Sequence, residues 1–374
     1  MKILYLADPN SVHDLKWMSY FSKDNPCFIM TRSHHTKISK EKLATYQIEH
    51  VGSINDFTTA RFWKNRSEAD KIKGWVNEHH IDLIHILFAE PNILWSIYHK
   101  KFDVPIVATT RGSDILLTIK RTIESKSLLN LIVARLYRQA FKKSSAITCT
   151  STSQITETKK LGVSIEKLHL IKTGIDIELI DQCLNQKKES RIKEKYILFP
   201  RNMQPVYNHE LALESIKLLD DKFKQAYSFV FIDEDSNASA YVDSIKRKMK
   251  EMPEVKFHFL KKLDQLEIIE LMKNATLAVM TTNSDGSPVS AMELMYLRTP
   301  LLLSPLDYDQ EIFGLIPKFE AFKPHSVTKS ISNILDGDLS IALDKNKQII
   351  VDTCNRTNEM NKLGSIYSNL ISKN

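Results

Sequence analysis

Short apolar runs alternate with amphipathic stretches along the first half of the chain. Lys2–Ala7 (KILYLA), Cys27–Thr31, Ile81–Phe88 (IDLIHILF), Val104–Thr109 (VPIVAT), Ala146–Thr150 (AITCT) and Leu168–Ile171 are nearly continuous apolar runs, and each predicts a strand. Val12–Ser22, Ala60–His80, Asn92–Lys101, Leu128–Lys143 and Ser153–Leu161 space their apolar residues as helices do. Continuous runs suit strands covered on both faces, as in a parallel sheet with helical crossovers. The polar segment Cys183–Lys195 (CLNQKKESRIKEK) interrupts this pattern. The alternation then restarts with strands at Tyr196–Phe199, Phe229–Ile232, Val255–Leu260, Leu277–Thr281 and Pro300–Leu303. The helices between them are Glu210–Leu219, Ala240–Met252, Leu266–Asn274 and Ser290–Leu297, and the tail from about Leu339 reads helical.

The fold class is therefore α/β, with two doubly wound, Rossmann-like halves expected to face each other across a cleft. The expected organisation is a first domain over 1–182, a linker over 183–195, a second domain over 196–345, and a helical tail over 346–374 that packs back on the first domain. At roughly 150 residues per domain, 374 residues also suggest two domains.

Composition narrows the classes. With 43% hydrophobic and 26% charged residues, the chain is neither disordered nor a disulfide scaffold. Cys27, Cys149, Cys183 and Cys354 lack metal or redox spacing and read as reduced thiols of a cytoplasmic protein. The apolar start ends at Asp8-Pro9-Asn10, too soon for a secretory signal, and no run reaches the length of a membrane span.

The net charge of +7 is unevenly placed. Residues 1–190 carry 28 Lys and Arg against 20 Asp and Glu, whereas residues 191–374 carry 24 against 25. The stretch 111–143 alone is +6. In it, Leu128, Leu129, Leu131, Ile132, Leu136 and Phe141 lie mostly on one helical face. Two readings fit: a core helix with a solvated basic face, or a contact with anionic lipid heads or a lipid-linked phosphate. No nucleic-acid reader motif accompanies the charge.

The segment richest in chemistry is Thr281–Pro300 (TTNSDGSPVSAMELMYLRTP). Ser287 is a good N-cap, Pro288 suits the first helical position, and Gly286 lets the backbone approach a ligand. The free N–H groups of that first turn, with the helix dipole, favour an anion such as a diphosphate. Asp285 and Glu293 bracket that turn, where carboxylates can accept hydrogen bonds from sugar diols. A well-capped helix with one exposed acid is the plain alternative.

The segment resembles the acid-x7-acid signature of glycosyltransferase family 4, usually E-G-x-P-x-x-x-x-E-A-x-x-x-G-x-P. It departs at Asp285 for Glu, Leu294 for Ala and Arg298 for Gly. Leu168–Asp176 (LHLIKTGID) resembles V-x-V-I-P-N-G-I-D. Asp82–His85 resembles D-x-x-H, and Val107–Leu116 (VATTRGSDIL) resembles the strand ending in H-G-S-D, with Arg111 for the histidine. Phe199-Pro200-Arg201 resembles the G-R-x-x-x-x-K opening of the second domain. Val206 stands at the lysine's spacing, followed by Tyr207-Asn208.

The resemblance implies a metal-independent, retaining glycosyltransferase of the GT-B fold that requires no cofactor and takes a UDP- or GDP-sugar as substrate. It implies that Asp285 contacts the donor sugar, that the backbone of Gly286, Ser287, Pro288 and Val289 meets the diphosphate or sugar, that Glu293 binds the ribose, and that Arg201 neutralises phosphate. Lys261 and Lys262, where the family places its base-binding loop, either supply a further donor contact or form a solvated pair. Arg111 either holds an anionic group near the donor sugar or pairs with Asp114. The acceptor side is expected to comprise Ser11, His13 and Asp114, of which Ser11 either lines the cleft or caps a helix. No metal site is expected, and His34-His35 and His79-His80 read as surface residues. The expected acceptor is a glycan or lipid-linked glycan of a bacterial surface polysaccharide, reached from the inner face of the plasma membrane. A GT-B UDP-sugar 2-epimerase and a non-catalytic, membrane-docked partner subunit are the alternatives.

Overall fold

The computed structural model describes all residues except 36–39, 60, 187–189, 234–238, 262, 338–339 and 374. The chain divides into two units: Met1–Lys172 with Asn358–Asn374, and Thr173–Thr357.

The first unit holds a parallel sheet of seven strands: β1 (Ile3–Leu6), β2 (Cys27–Arg32), β3 (Ile48–Ile54), β4 (Leu83–Ile86), β5 (Ile106–Thr110), β6 (Ala146–Cys149) and β7 (Leu168–Leu170). Their spatial order is β3-β2-β1-β4-β5-β6-β7, with Ile3 opposite both Cys27 and Leu83. The central strands are buried throughout because helices cover both faces, and their few polar side chains, such as His85 and Thr109, bond to each other. Leu4, Leu6, Ile84 and Ile86 pack toward one helical layer, while Ile3, Tyr5 and Leu83 pack toward the other. The edge strand β3 (IEHVGSI) is apolar only at intervals: Ile48, Val51 and Ile54 are buried, every third residue, with a register shift between His50 and Gly52. That pattern escapes a search for continuous apolar runs.

The second unit holds β8 (Tyr196–Phe199), β9 (Ser228–Asp233), β10 (Phe257–Lys261), β11 (Leu277–Val279) and β12 (Leu301–Leu302), all parallel in the order β10-β9-β8-β11-β12. It too has an apolar layer on each face. In each unit the strand order reverses beside the first strand, between β1 and β4 and between β8 and β11. Loops leaving the carboxyl ends of such a pair diverge and leave room for a ligand.

The boundaries differ from those expected. The chain passes between units at Lys172/Thr173, not after residue 182. Helix Ile177–Asn185 packs on Gln265–Asn274, and Cys183 is buried in the second unit's core instead of opening a linker. The tail is shared. Helix Ser340–Thr353 packs on Val289–Tyr296 in the second unit, whereas residues 358–374 belong to the first. There Met360, Leu363 and Tyr367 are fully buried, and the Tyr367 hydroxyl lies 2.5 Å from Nδ1 of His85.

Candidate functional site

In the second unit, β8 ends at Phe199 and β11 at Val279, and the loops that follow are tied to each other. The amide of Asn283 donates to the carbonyl of Val206 (2.8 Å), and Thr281 Oγ1 donates to the carbonyls of Tyr207 and Asn208 (both 3.0 Å). Asn208 adopts φ 50°, a conformation asparagine tolerates, and its side chain caps the helix His209–Lys217.

This framework aims Arg201 across the switch point. One guanidinium nitrogen lies 3.0 Å from Oδ2 of Asp285, another donates to Ser290 Oγ (3.1 Å), and the group sits 4.2 Å from the Tyr207 ring centre. Ion pair, hydrogen bond and ring contact hold the fork in one orientation. Burial pushes the Asp285 carboxyl above its usual range. Arg201 and the amides of Gly286 and Ser287 pull it back only in part. Arg201 Nε and Ser287 Oγ are buried without a hydrogen-bond partner, so two donors remain for an incoming acceptor of hydrogen bonds.

Several expectations change here. The helix runs Val289–Tyr296 with Pro288 as its N-cap and no side-chain cap, so Ser287 is not the cap. An added Cβ at Gly286 would meet nothing within 4 Å, so the protein's own packing does not demand glycine there. The Gly286 and Ser287 amides face the Asp285 carboxylate. Glu293 is half-buried in the second turn of the same helix. Lys261 Nζ lies 3.1 Å from the buried Asp233 carboxylate at the end of β9, while Lys262 lies outside the described residues. Tyr207 and Ser290 were not among the expected site residues. The Tyr207-Asn208 pair that follows Val206 is the sequence signal for the first.

The corresponding edge of the first unit is organised around Asp114. Its buried carboxylate accepts from the amides of Ala89, Arg111, Gly112 and Ile115 (2.8–3.2 Å), and burial pushes its pKa upward. It therefore shapes the loop after β5 from within. Arg111 gives Asp114 its amide, but its guanidinium pairs instead with Asp14 (3.3 Å). Arg111 Nε also donates to the Leu87 carbonyl (2.8 Å), and the guanidinium lies 5.0 Å from the Trp17 ring centre.

Ser11 caps the helix Val12–Phe21 by accepting from the amide of Asp14. His13 is exposed, and its carbonyl accepts from Arg111 (3.5 Å). His34 and His80 are exposed. His35 is half-buried beside Asp8, and His79 stacks on Trp75. His85 of the D-x-x-H segment is wholly buried, bonded to Thr109 (2.7 Å) and Tyr367, and burial pushes its pKa down to about 3. Gly174-Ile175-Asp176 is also architectural. Gly174 has φ 65° with the Cys354 carbonyl where a Cβ would be 2.8 Å away, and Asp176 caps a helix and pairs with Arg356. Among the described residues, no group of three or more His, Cys, Asp or Glu side chains is placed to hold a metal ion.

Two family models match the chain in tandem: Glycosyltransferase Family 4 over residues 26–179 and Glycosyl transferases group 1 over residues 182–314. No curated protein matches in sequence. Solved structures that resemble it include a glycosyltransferase from Rickettsia africae (14% identity, TM-score 0.77, covering 100% of this chain and 99% of that one). Anabaena HepE, crystallised with UDP and glucose, is 15% identical with a TM-score of 0.72, over 99% and 100% of the two chains. Sucrose-phosphate synthase from Thermosynechococcus elongatus is 14% identical with a TM-score of 0.68, over 100% of each. At these identities the likeness shows the fold.

Proposed function

The chain belongs to the family 4 glycosyltransferases and has their two-domain GT-B fold, and from that premise we propose that it moves a sugar from a UDP- or GDP-sugar to a glycan or lipid-linked glycan with retention of anomeric configuration. The observation that carries this reading is the Arg201–Asp285–Ser290 constellation at the β8/β11 switch point.

Cleaving a nucleotide sugar leaves a diphosphate whose negative charge grows in the transition state. A positioned guanidinium and the amides of a helix N-terminus stabilise that charge without reorganising. Arg201 is held by Asp285, Ser290 and Tyr207 and keeps Nε free for phosphate. In this proposal, a donor entering the site takes over the amides of Gly286 and Ser287 and the Ser287 hydroxyl. Asp285 then turns to the sugar hydroxyls, and Glu293 holds the ribose. Val206, in place of the usual lysine, leaves Arg201 with more of the phosphate charge. In the first unit, Arg111 and Asp114 fix the loop that meets the acceptor, with His13 at its edge. The proposed setting is bacterial surface-glycan assembly on the cytoplasmic side of the plasma membrane.

The test is turnover against a panel of UDP- and GDP-sugars with glycan and lipid-linked acceptors, with product anomers read by NMR. Arg201→Ala, Asp285→Ala and Glu293→Ala are each expected to lower kcat/KM by about a hundredfold or more, the scale of losing one preorganised transition-state contact. Wild-type rates in these variants would reject the assigned site. Anomeric inversion would reject the mechanism, and conversion of a UDP-sugar without any acceptor would favour the epimerase.

A further inference from the structure

Leu128, Leu129, Leu131 and Ile132 are 81%, 60%, 49% and 58% exposed, all in the first turns of helix Leu128–Lys143. They are not core positions. The same helix buries Ala134, Tyr137, Ala140 and Phe141. At about 100° per residue, Leu128, Ile132 and Arg135 project away from that buried face, with Leu129 and Leu131 on either side. The exposed face continues with Arg135, Arg138, Lys142 and Lys143. The segment leading into the helix adds exposed Arg121, Lys126 and Leu117. Within 117–143 the one exposed acid is Glu124. Contiguous apolar side chains rimmed by a single sign of charge mark an interaction surface.

The charge selects the occupant. Two copies meeting through this face would bring their basic rims together, whereas an anionic bilayer offers phosphates to the rim and an acyl boundary to the leucines. The unit as a whole leans the same way, with 28 Lys and Arg against 17 Asp and Glu. Among the described residues no helix is long and apolar enough to cross a membrane, so this one would lie on the surface. The chain leaves the carboxyl end of β5, forms this helix and then enters β6. The apolar turns therefore lie toward the same sheet edge as Arg111 and Asp114.

We infer that the Leu128–Ile132 face, with its basic rim, docks the first unit on an anionic lipid bilayer. The test is flotation of the full chain with vesicles of phosphatidylcholine alone or mixed with phosphatidylglycerol, at low and high salt. The expected result is at least about tenfold more protein on the anionic vesicles, falling as salt rises. Leu129→Ser/Ile132→Ser and Arg135→Glu/Arg138→Glu are each expected to lower that binding at least about tenfold. Neither pair touches the transferase site. Circular dichroism checks both folds, and if one pair unfolds the protein the other decides.

Equal binding to neutral and anionic vesicles, no binding, or wild-type binding by the folded variants would overturn the inference. So would a wild-type dimer that Leu129→Ser/Ile132→Ser turns into monomer. The vesicles contain neither donor nor acceptor, so the result stands apart from the transferase reading.

Discussion

Arg298 carries a small strain that its family signature explains. It follows helix Val289–Tyr296 with φ 60°, the left-handed conformation that normally ends a helix on glycine, and glycine is the residue usual there. A non-glycine residue in this region costs roughly 1–2 kcal/mol. Its partner Asp344 is exposed, and such an ion pair returns little. Arg298→Gly should therefore stabilise the second unit by about 0.5–1 kcal/mol after glycine's added unfolded-state entropy. A lowered urea midpoint would contradict this.

Two buried histidines set an acid limit on the same scale. Burial pushes His85 down to about 3 and His209 to about 4, so both stay neutral in the native protein. In the unfolded chain they titrate near pH 6.5. Below that pH the unfolded state takes up protons the native state refuses. Stability should then fall as pH drops from about 6.5 toward 4 and 3, by about 1.4 kcal/mol per pH unit for each histidine. Above pH 6.5 neither contributes a slope. Urea titrations between pH 7 and 4 should show this, with a shallower slope in His85→Gln/His209→Gln. An unchanged slope would mean other groups govern acid unfolding.

At the scale of elements, the strands and most crossover helices were legible because burial on both faces forces continuous apolar runs. What escaped was whatever obeys another rule. The edge strand β3, with a register shift and every third residue buried, is one example. Another is the short-turn helix Asn92–Tyr98, which apolar spacing presents as an ordinary α-helix. Periodicity located helix Leu128–Lys143 but left the environment of its first turns open between core and surface. Its first four large apolar residues resemble core residues in a list, and only the fold reveals that Ala134, Tyr137 and Phe141 occupy the inward positions.

The site divides along similar lines. Asp285 and Arg201 could be found from short motifs, and the structure brings them together across 84 residues of sequence. Ser290 as a ligand of Arg201, and Asp14 as the partner of Arg111, depend on loop geometry that no spacing encodes.

At the scale of the molecule, the net +7 resolves into a first unit at +11 and a second at −4. The segment 358–374 ties the first unit together. Met360, Leu363 and Tyr367 are wholly buried there, and Glu359 accepts from the amide of Lys172 (2.8 Å). Fully burying each large side chain is worth about 1.5–3 kcal/mol, so losing three approaches a small domain's whole stability. A chain ending at Thr357 should accordingly be digested by protease within 1–172 while 173–357 persists. Equal survival of both would show that the first unit closes without the segment.

The same discontinuity bears on how the protein is born. A chain emerging from the ribosome normally folds its first domain first. Here the second unit is one uninterrupted stretch, whereas the first must wait for a helix encoded some 186 residues later. At about 5–20 residues per second, that wait is roughly ten to forty seconds. For that interval the apolar groove destined for Tyr367 stays open on the nascent chain, a site for a chaperone to cover.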